Sequence, residues 1–254
     1  MGDIPDLGKE VEKLIEAISG GGFGTSIISS EEFFALDLEK IEYLKECLRF
    51  DEVRIVAVVR RPDDLLLSIY NQNAKTPSND FAWPIETFLD DPKKLSPDMD
   101  TCSCIRRWIT VFGPSSVNVA RYEDADPVNF VLGVAGAPDI LGQLPTSINA
   151  SVPGAVIQII RSAKMAGIEP PLRREIFKKA SRLFADQPKL SLSTEQRRAV
   201  VRRYQDEYEE LSEILGWENL YKESSIKETE DEINHRAPVY WAMKLIESML
   251  KENH

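Results

Sequence analysis

The chain has 254 residues, 43% of them hydrophobic, enough for a packed core in one α/β domain or a domain with a helical appendage. Its 42 acids outnumber its 31 basic side chains to give a formal net charge of −11, which argues against nonspecific binding to nucleic acid or an anionic membrane but leaves room for a local basic pocket. It has no long apolar run and no signal-peptide pattern, so a soluble, cytoplasmic protein with no membrane association is the expectation.

Residues 1–19 read as a helix, with Leu7, Val11, Leu14, Ile15 and Ile18 at helical spacing and Asp6 as a cap. The glycine run from Gly20 to Gly24 stops it. That run is not read as a phosphate loop, because it lacks the Gly-Lys-Ser/Thr ending and precedes a strand instead of following one. Thr25–Ser29 reads as a short strand. Ser29 or Ser30 then caps a helix start with Glu31 and Glu32 behind it, packed through Phe33, Phe34, Leu36 and Leu38. Ile41, Leu44 and Leu48 continue a helix that leads to the next strand.

That strand, Val53–Val59, is apolar and β-branched almost throughout, the pattern of a parallel strand buried on both faces. It stops at Arg60-Arg61-Pro62. Pro62 has its φ already set for a first helical turn, and Asp63 and Asp64 sit where the helix dipole favours acids. Leu65, Leu66, Leu67, Ile69 and Tyr70 supply the apolar face of the helix. The unit is strand, basic turn, helix. In open α/β sheets ligands bind outside the carboxyl ends of the strands, where Arg60 and Arg61 fall. Ser68 lies two helical turns further on. An arginine fork with a hydroxyl makes a clamp for a phosphate monoester. The other reading is that both arginines are solvated and Ser68 fills space.

Thr76–Asp80 is a loop, Phe81, Trp83, Ile85, Phe88 and Leu89 are apolar around Pro84, and Asp90–Asp100 is surface loop. Cys102 and Cys104 lack a second pair or a neighbouring histidine. With Cys47 they read as reduced structural thiols, and no metal is expected. Ile105–Gly113 is a helix with a glycine cap, Arg106 and Arg107 falling on its surface more readily than in a pocket. Val117–Asp124 is a strand and its exit, and Asp126–Leu132 a helix. From residue 145 onward the pattern is helical. Leu190–Glu195 opens one helix running to Leu215-Gly216, with Arg197, Arg198, Arg202 and Arg203 on a solvated face. Lys222–Glu232 reads as a linker. Val239, Trp241, Leu245, Ile246, Met249 and Leu250 form a last amphipathic helix that docks on the domain or on a second copy. The expected organisation is an α/β core over 1–144, its helical C-terminal part over 145–221, and a linker with a terminal helix over 222–254.

Arg60, Pro62, Asp64, Ser68 and Tyr70 spell R-x-P-x-D-x-x-x-S-x-Y. This resembles the 3′-phosphate-binding segment of sulfotransferases that use 3′-phosphoadenosine 5′-phosphosulfate (PAPS), and Asn71–Lys75 is similar to the bacterial branch. Trp108, Phe112-Gly113, Val117, Val119 and Tyr122-Glu123-Asp124 resemble a second stretch of that family. The resemblance covers residues 25–216. It implies a P-loop-like α/β fold, with a small parallel sheet flanked by helices and a helical C-terminal region. It implies PAPS as cosubstrate, adenosine 3′,5′-bisphosphate as product, and a hydroxylated small molecule or glycan as acceptor. Arg60 and Ser68 would bind the 3′-phosphate. Glu31 would be the general base, the segment from Phe81 to Leu89 would lie near the acceptor, and Tyr122-Glu123 would be structural. The family's first strand and its glycine-rich 5′-phosphosulfate loop have no counterpart in Met1–Gly24, and its C-terminal Arg-Lys-Gly type motif is absent too. Either the N-terminus has been lost or the chain is a degenerate homologue. A catalytically inactive descendant that binds a nucleotide or a protein is therefore the alternative. A third reading is a helical interaction protein, a homodimer through the C-terminal helix.

Overall fold

A computed structural model describes residues 13, 15–18, 24–48, 50–137, 152–218, 221–226, 240 and 242–245. In chain order its helices and strands are α1 (Leu38–Cys47), β1 (Ile55–Val59), α2 (Pro62–Lys75), α3 (Thr101–Phe112), β2 (Val117–Arg121), α4 (Pro127–Val134), α5 (Gly154–Met165), α6 (Pro170–Leu183), α7 (Thr194–Arg203) and α8 (Gln205–Leu215). The class is α/β, mainly helical, with a two-stranded parallel sheet among the described residues. The chain divides into two interleaved compact units. The first takes Met1–Arg60, Asp100–Pro145 and Glu207–Glu218, and the second Arg61–Met99, Thr146–Asp206 and Asn219–His254.

The first unit holds the sheet. β1 and β2 run parallel, with Ile55 opposite Val117 and Val59 opposite Arg121. The Tyr122 N–H carries the ladder one step further by donating to the Val59 carbonyl at 2.8 Å. Asp37 caps α1 through the Lys40 N–H, and Gly113 ends α3 at φ 83°, where a side chain would be strained. Ile41, Leu44, Trp108, Val111 and Val117 form the core, with Ile55 and Val119 packed against it. Burying each such large side chain is worth ~1.5–3 kcal/mol. The expectation of a strand buried on both faces is corrected here. Among the described residues only Val59 of β1 is fully buried and the other four positions are partly buried, so the faces of the strand are incompletely covered. Thr25–Ser29 forms no strand. It is irregular, and exposed at every residue except the partly buried Ile28, because β-branched residues alone do not hold a strand without a ladder partner. Of the N-terminal helix expected over 1–19, the described residues 13 and 15–18 are helical and the rest lies outside the described residues.

The second unit is helical. In α2 the buried positions Pro62, Leu66, Tyr70 and Ala74 recur every four residues and form one stripe. Tyr70, Phe81 and Phe88 pack as an aromatic cluster, the two phenylalanine rings stacked at 5.6 Å. Ala155, Val156, Ile159, Ala180, Phe184 and Leu245 make a further core. Gly154 is required by close approach: a Cβ there would stand 3.2 Å from the Leu190 nitrogen. A capping box, Ser193 with Gln196, starts α7. The single helix expected from Thr194 to Leu215 is two, broken at the buried Tyr204, which carries none of the Gly or Pro punctuation that periodicity can read. Of the expected linker, Glu223–Ser225 is a 3₁₀ turn and Ile226 is buried. Residues 227–232 lie outside the described residues, as does most of the expected terminal helix, including Val239, Trp241, Ile246, Met249 and Leu250. No helix among the described residues is long and apolar enough to cross a membrane.

Candidate functional site

Arg60 is the first residue beyond β1, at the carboxyl end of the parallel pair. It is half-buried. Its guanidinium carbon lies 3.7 Å from the ring centroid of Tyr122, the first residue beyond β2. Its carbonyl accepts the hydroxyl of buried Tyr208, on α8, at 3.2 Å. Among the described residues Arg60 makes no ion pair. A guanidinium in this state has spent its face on a ring and kept its N–H edge. It can bind an oxyanion.

The cations around it in sequence are in a different state. Arg61 grips the fully buried Asp63 with both ends of its fork, Nε to Oδ1 at 2.6 Å and Nη2 to Oδ2 at 3.0 Å, and reaches Asp64 at 3.2 Å. Arg197 Nη1 completes the cluster at 2.6 Å from Asp63 and 2.7 Å from Asp64. Burial opposes the Arg197 charge, but the hydrogen bonds it donates to Asp64 and Asp63 outweigh it and hold its pKa above the usual value. This corrects the reading of Arg197 as part of a solvated face. At the end of β2, Arg121 pairs with Asp124 at 2.5 Å, donates to the Glu218 carbonyl at 3.3 Å and lies over the Trp217 ring. Arg106 pairs with Glu210, and Arg107 donates to the Leu36 carbonyl at 2.8 Å and to Cys104 Sγ at 3.2 Å. Each of these arginines is paired within the fold, although the buried Nε of Arg106 and of Arg197 has no partner among the described residues.

Ser68 is exposed on α2 and, two residues from both Leu66 and Tyr70, lies away from the buried stripe. It belongs to the second unit, whereas Arg60 closes a segment of the first. Glu31 is exposed and opens a 3₁₀ turn, Glu31–Phe33, capped by Ser30 Oγ, which accepts the Glu32 N–H at 3.2 Å. Glu31 and Arg60 form no ion pair. A cleft of about 270 Å³ lies elsewhere in the first unit, lined by Val117, Val119, Phe130, Ile214 and Trp217 with Asn118.

The second unit holds a polar arrangement that sequence reasoning missed. Lys164, at 7% exposure, donates to the carbonyls of Asn73, Ala74 and Phe81 and to Asn79 Oδ1, at 2.7–3.1 Å. Arg173 holds the carbonyls of Ile168 and Asn79 and the Asp80 carboxylate, while Arg161 holds the Ala82 carbonyl and the Tyr70 hydroxyl that of Trp83. Burial above all, and the nearby Arg173 charge, push the Lys164 pKa down to about 8. The sequence signal was faint: three cations at 161, 164 and 173 in otherwise apolar or mixed helices. Tyr122 and Tyr208 were missed as partners of Arg60 because their neighbourhood is set by strand register and by α8, not by spacing.

Compared with models of protein families, with characterised proteins and with solved structures, the chain matches none.

Proposed function

We propose that the chain is a sulfotransferase-like protein with a P-loop-like fold that binds PAPS and adenosine 3′,5′-bisphosphate. Arg60 and Ser68 hold the 3′-phosphate. The acceptor is the hydroxyl of a small molecule or glycan. Transfer is in-line: the acceptor oxygen bonds to sulfur as the bond from sulfur to the nucleotide's 5′-phosphate oxygen breaks, and that oxygen keeps the electron pair. The acceptor proton passes to the Glu31 carboxylate. The observation that carries the reading is Arg60, half-buried at the end of a parallel strand with no carboxylate among the described residues. A cation left unpaired at a strand end suits an anionic ligand.

Calorimetric titration with adenosine 3′,5′-bisphosphate, with adenosine 5′-monophosphate as control, tests it. Micromolar binding that needs the 3′-phosphate supports the site, and equal or absent binding of the two removes it. Where transfer is detected, Glu31→Gln should slow it by roughly 10²–10⁴-fold at unchanged nucleotide affinity.

One observation favours a second reading, a descendant that binds nucleotide without turnover. The charge leaving with the bisphosphate needs cationic partners at the 5′ end. Arg61, Arg121 and Arg197 are each committed to acids of the fold. Tight bisphosphate binding with no transfer to any acceptor would distinguish it.

A further inference from the structure

The register Val59 opposite Arg121 makes Arg60 and Tyr122 the next pair across the ladder, and the 2.8 Å bond from the Tyr122 N–H to the Val59 carbonyl fixes that step. The ring is therefore held beside Arg60 by backbone pairing. At a carbon-to-centroid distance of 3.7 Å the guanidinium lies against the ring face, in van der Waals contact. A π face attracts the cation but takes none of its in-plane N–H groups. Tyr208, at 2% exposure, holds the Arg60 carbonyl from the other end of the residue. A long, rotamer-rich side chain is thus ordered at its backbone and at its head, with its fork left open. Tyr122 itself is 47% exposed, more than core packing requires.

We infer that Tyr122 is a positioning residue for the anion site: its ring holds the Arg60 guanidinium so that the open N–H edge faces a phosphate monoester. This rests on the nucleotide reading above, and ordering the fork before the ligand arrives lowers the entropic cost of binding. A ring of either kind serves, so the hydroxyl is dispensable. Loss of the π face frees the arginine without unfolding the strand end.

The test compares wild type, Tyr122→Phe and Tyr122→Leu by nuclear magnetic resonance of the Arg60 Nε–H and by calorimetry with the two nucleotides. In wild type and Tyr122→Phe the Nε–H is shifted upfield by the ring, and the affinities for adenosine 3′,5′-bisphosphate agree within about twofold. In Tyr122→Leu the shift is lost and that affinity falls about fivefold, with adenosine 5′-monophosphate binding unmoved. Wild-type affinity in Tyr122→Leu, or no upfield shift in wild type, overturns the inference. If the wild type takes no adenosine bisphosphate, the sulfotransferase reading falls, and inorganic phosphate followed at the same resonance decides the positioning role. Movement in wild type but not in Tyr122→Leu upholds it. Movement in both, or in neither, overturns it.

Discussion

Arg60 and Arg61 are neighbours in sequence and opposites in state. Arg60, in the first unit, has a tyrosine ring and no acid among the described residues. Arg61, in the second, is bidentate on Asp63 and shares Asp64 with Arg197. Both are basic and both follow the same strand, so composition cannot separate them. What separates them is the first helical turn. Asp63 and Asp64 sit in that turn of α2, where the helix dipole already favours acids, and they capture the arginine that precedes the helix. The arginine one residue earlier continues the strand instead. A cation is available for a ligand when the fold has not used its fork, and that depends on partners far away in sequence.

The largest effect should come from breaking the saturated region. Arg197→Met leaves Asp63 and Asp64 with half of their cationic partners, and removing one member of a buried pair costs about 3–5 kcal/mol. Urea denaturation should show that loss, and a cost within ~0.5 kcal/mol would mean the cluster is as solvated as an ordinary surface pair. Lys164→Met comes next. It takes the lysine donor from the carbonyls of Ala74 and Phe81, while the Asn73 carbonyl keeps the Asn79 amide and Asn79 Oδ1 keeps the Phe81 N–H, and buried unsatisfied groups cost ~1–3 kcal/mol.

The pH dependence of stability sharpens the same contrast. The Lys164 pKa is lowered to about 8 in the fold, so above that the native state holds fewer protons than the unfolded chain, whose lysine keeps its proton to 10.5. Stability therefore rises with pH from this group, by about 1 kcal/mol between pH 8 and 9. Burial raises the Cys102 thiol to about 12 and the Tyr70 hydroxyl to about 12, and their contributions are lost as pH climbs through their ordinary values of 9.0 and 10.0 toward 12. The unfolded Cys102 thiol already gives up part of its proton between pH 8 and 9 and offsets part of the lysine's gain there. The lysine's share is the difference between two proteins: from pH 8 to 9 denaturation midpoints should rise in wild type relative to Lys164→Met. Midpoints that change equally in the two would show a lysine that keeps its ordinary pKa. The smallest effect on stability belongs to Arg60→Ala, within ~0.5 kcal/mol, because a half-buried arginine without an ion pair contributes little to the fold. A drop of several kcal/mol would make Arg60 a structural residue.

Much of the fold was legible. Pro62 with Asp63 and Asp64 announced α2, the apolar run announced β1, and Gly113 ended α3 as its position suggested. Thr25–Ser29 was misleading because strand formation depends on a partner, which no local pattern supplies. The break at Tyr204 was hidden because the apolar and charged periods run through it. Arg60 was visible as a candidate from the strand before it. Its Tyr122 and Tyr208 contacts were not, since one depends on register and the other on a helix about 150 residues away. Arg197 looked like surface because it stands in a run of arginines with Arg198, Arg202 and Arg203, and only α2's acids reveal it as paired and partly buried.

The distinction between a spent and an unspent arginine comes down to Arg60→Ala titrated calorimetrically with adenosine 3′,5′-bisphosphate beside the wild type. Micromolar binding by the wild type, weakened at least ~30-fold in a variant that melts like the wild type, is the expected result, since bonds to a charged group are worth ~1.5–3 kcal/mol. Equal affinity in the two proteins would contradict it and return Arg60 to the solvent-facing surface.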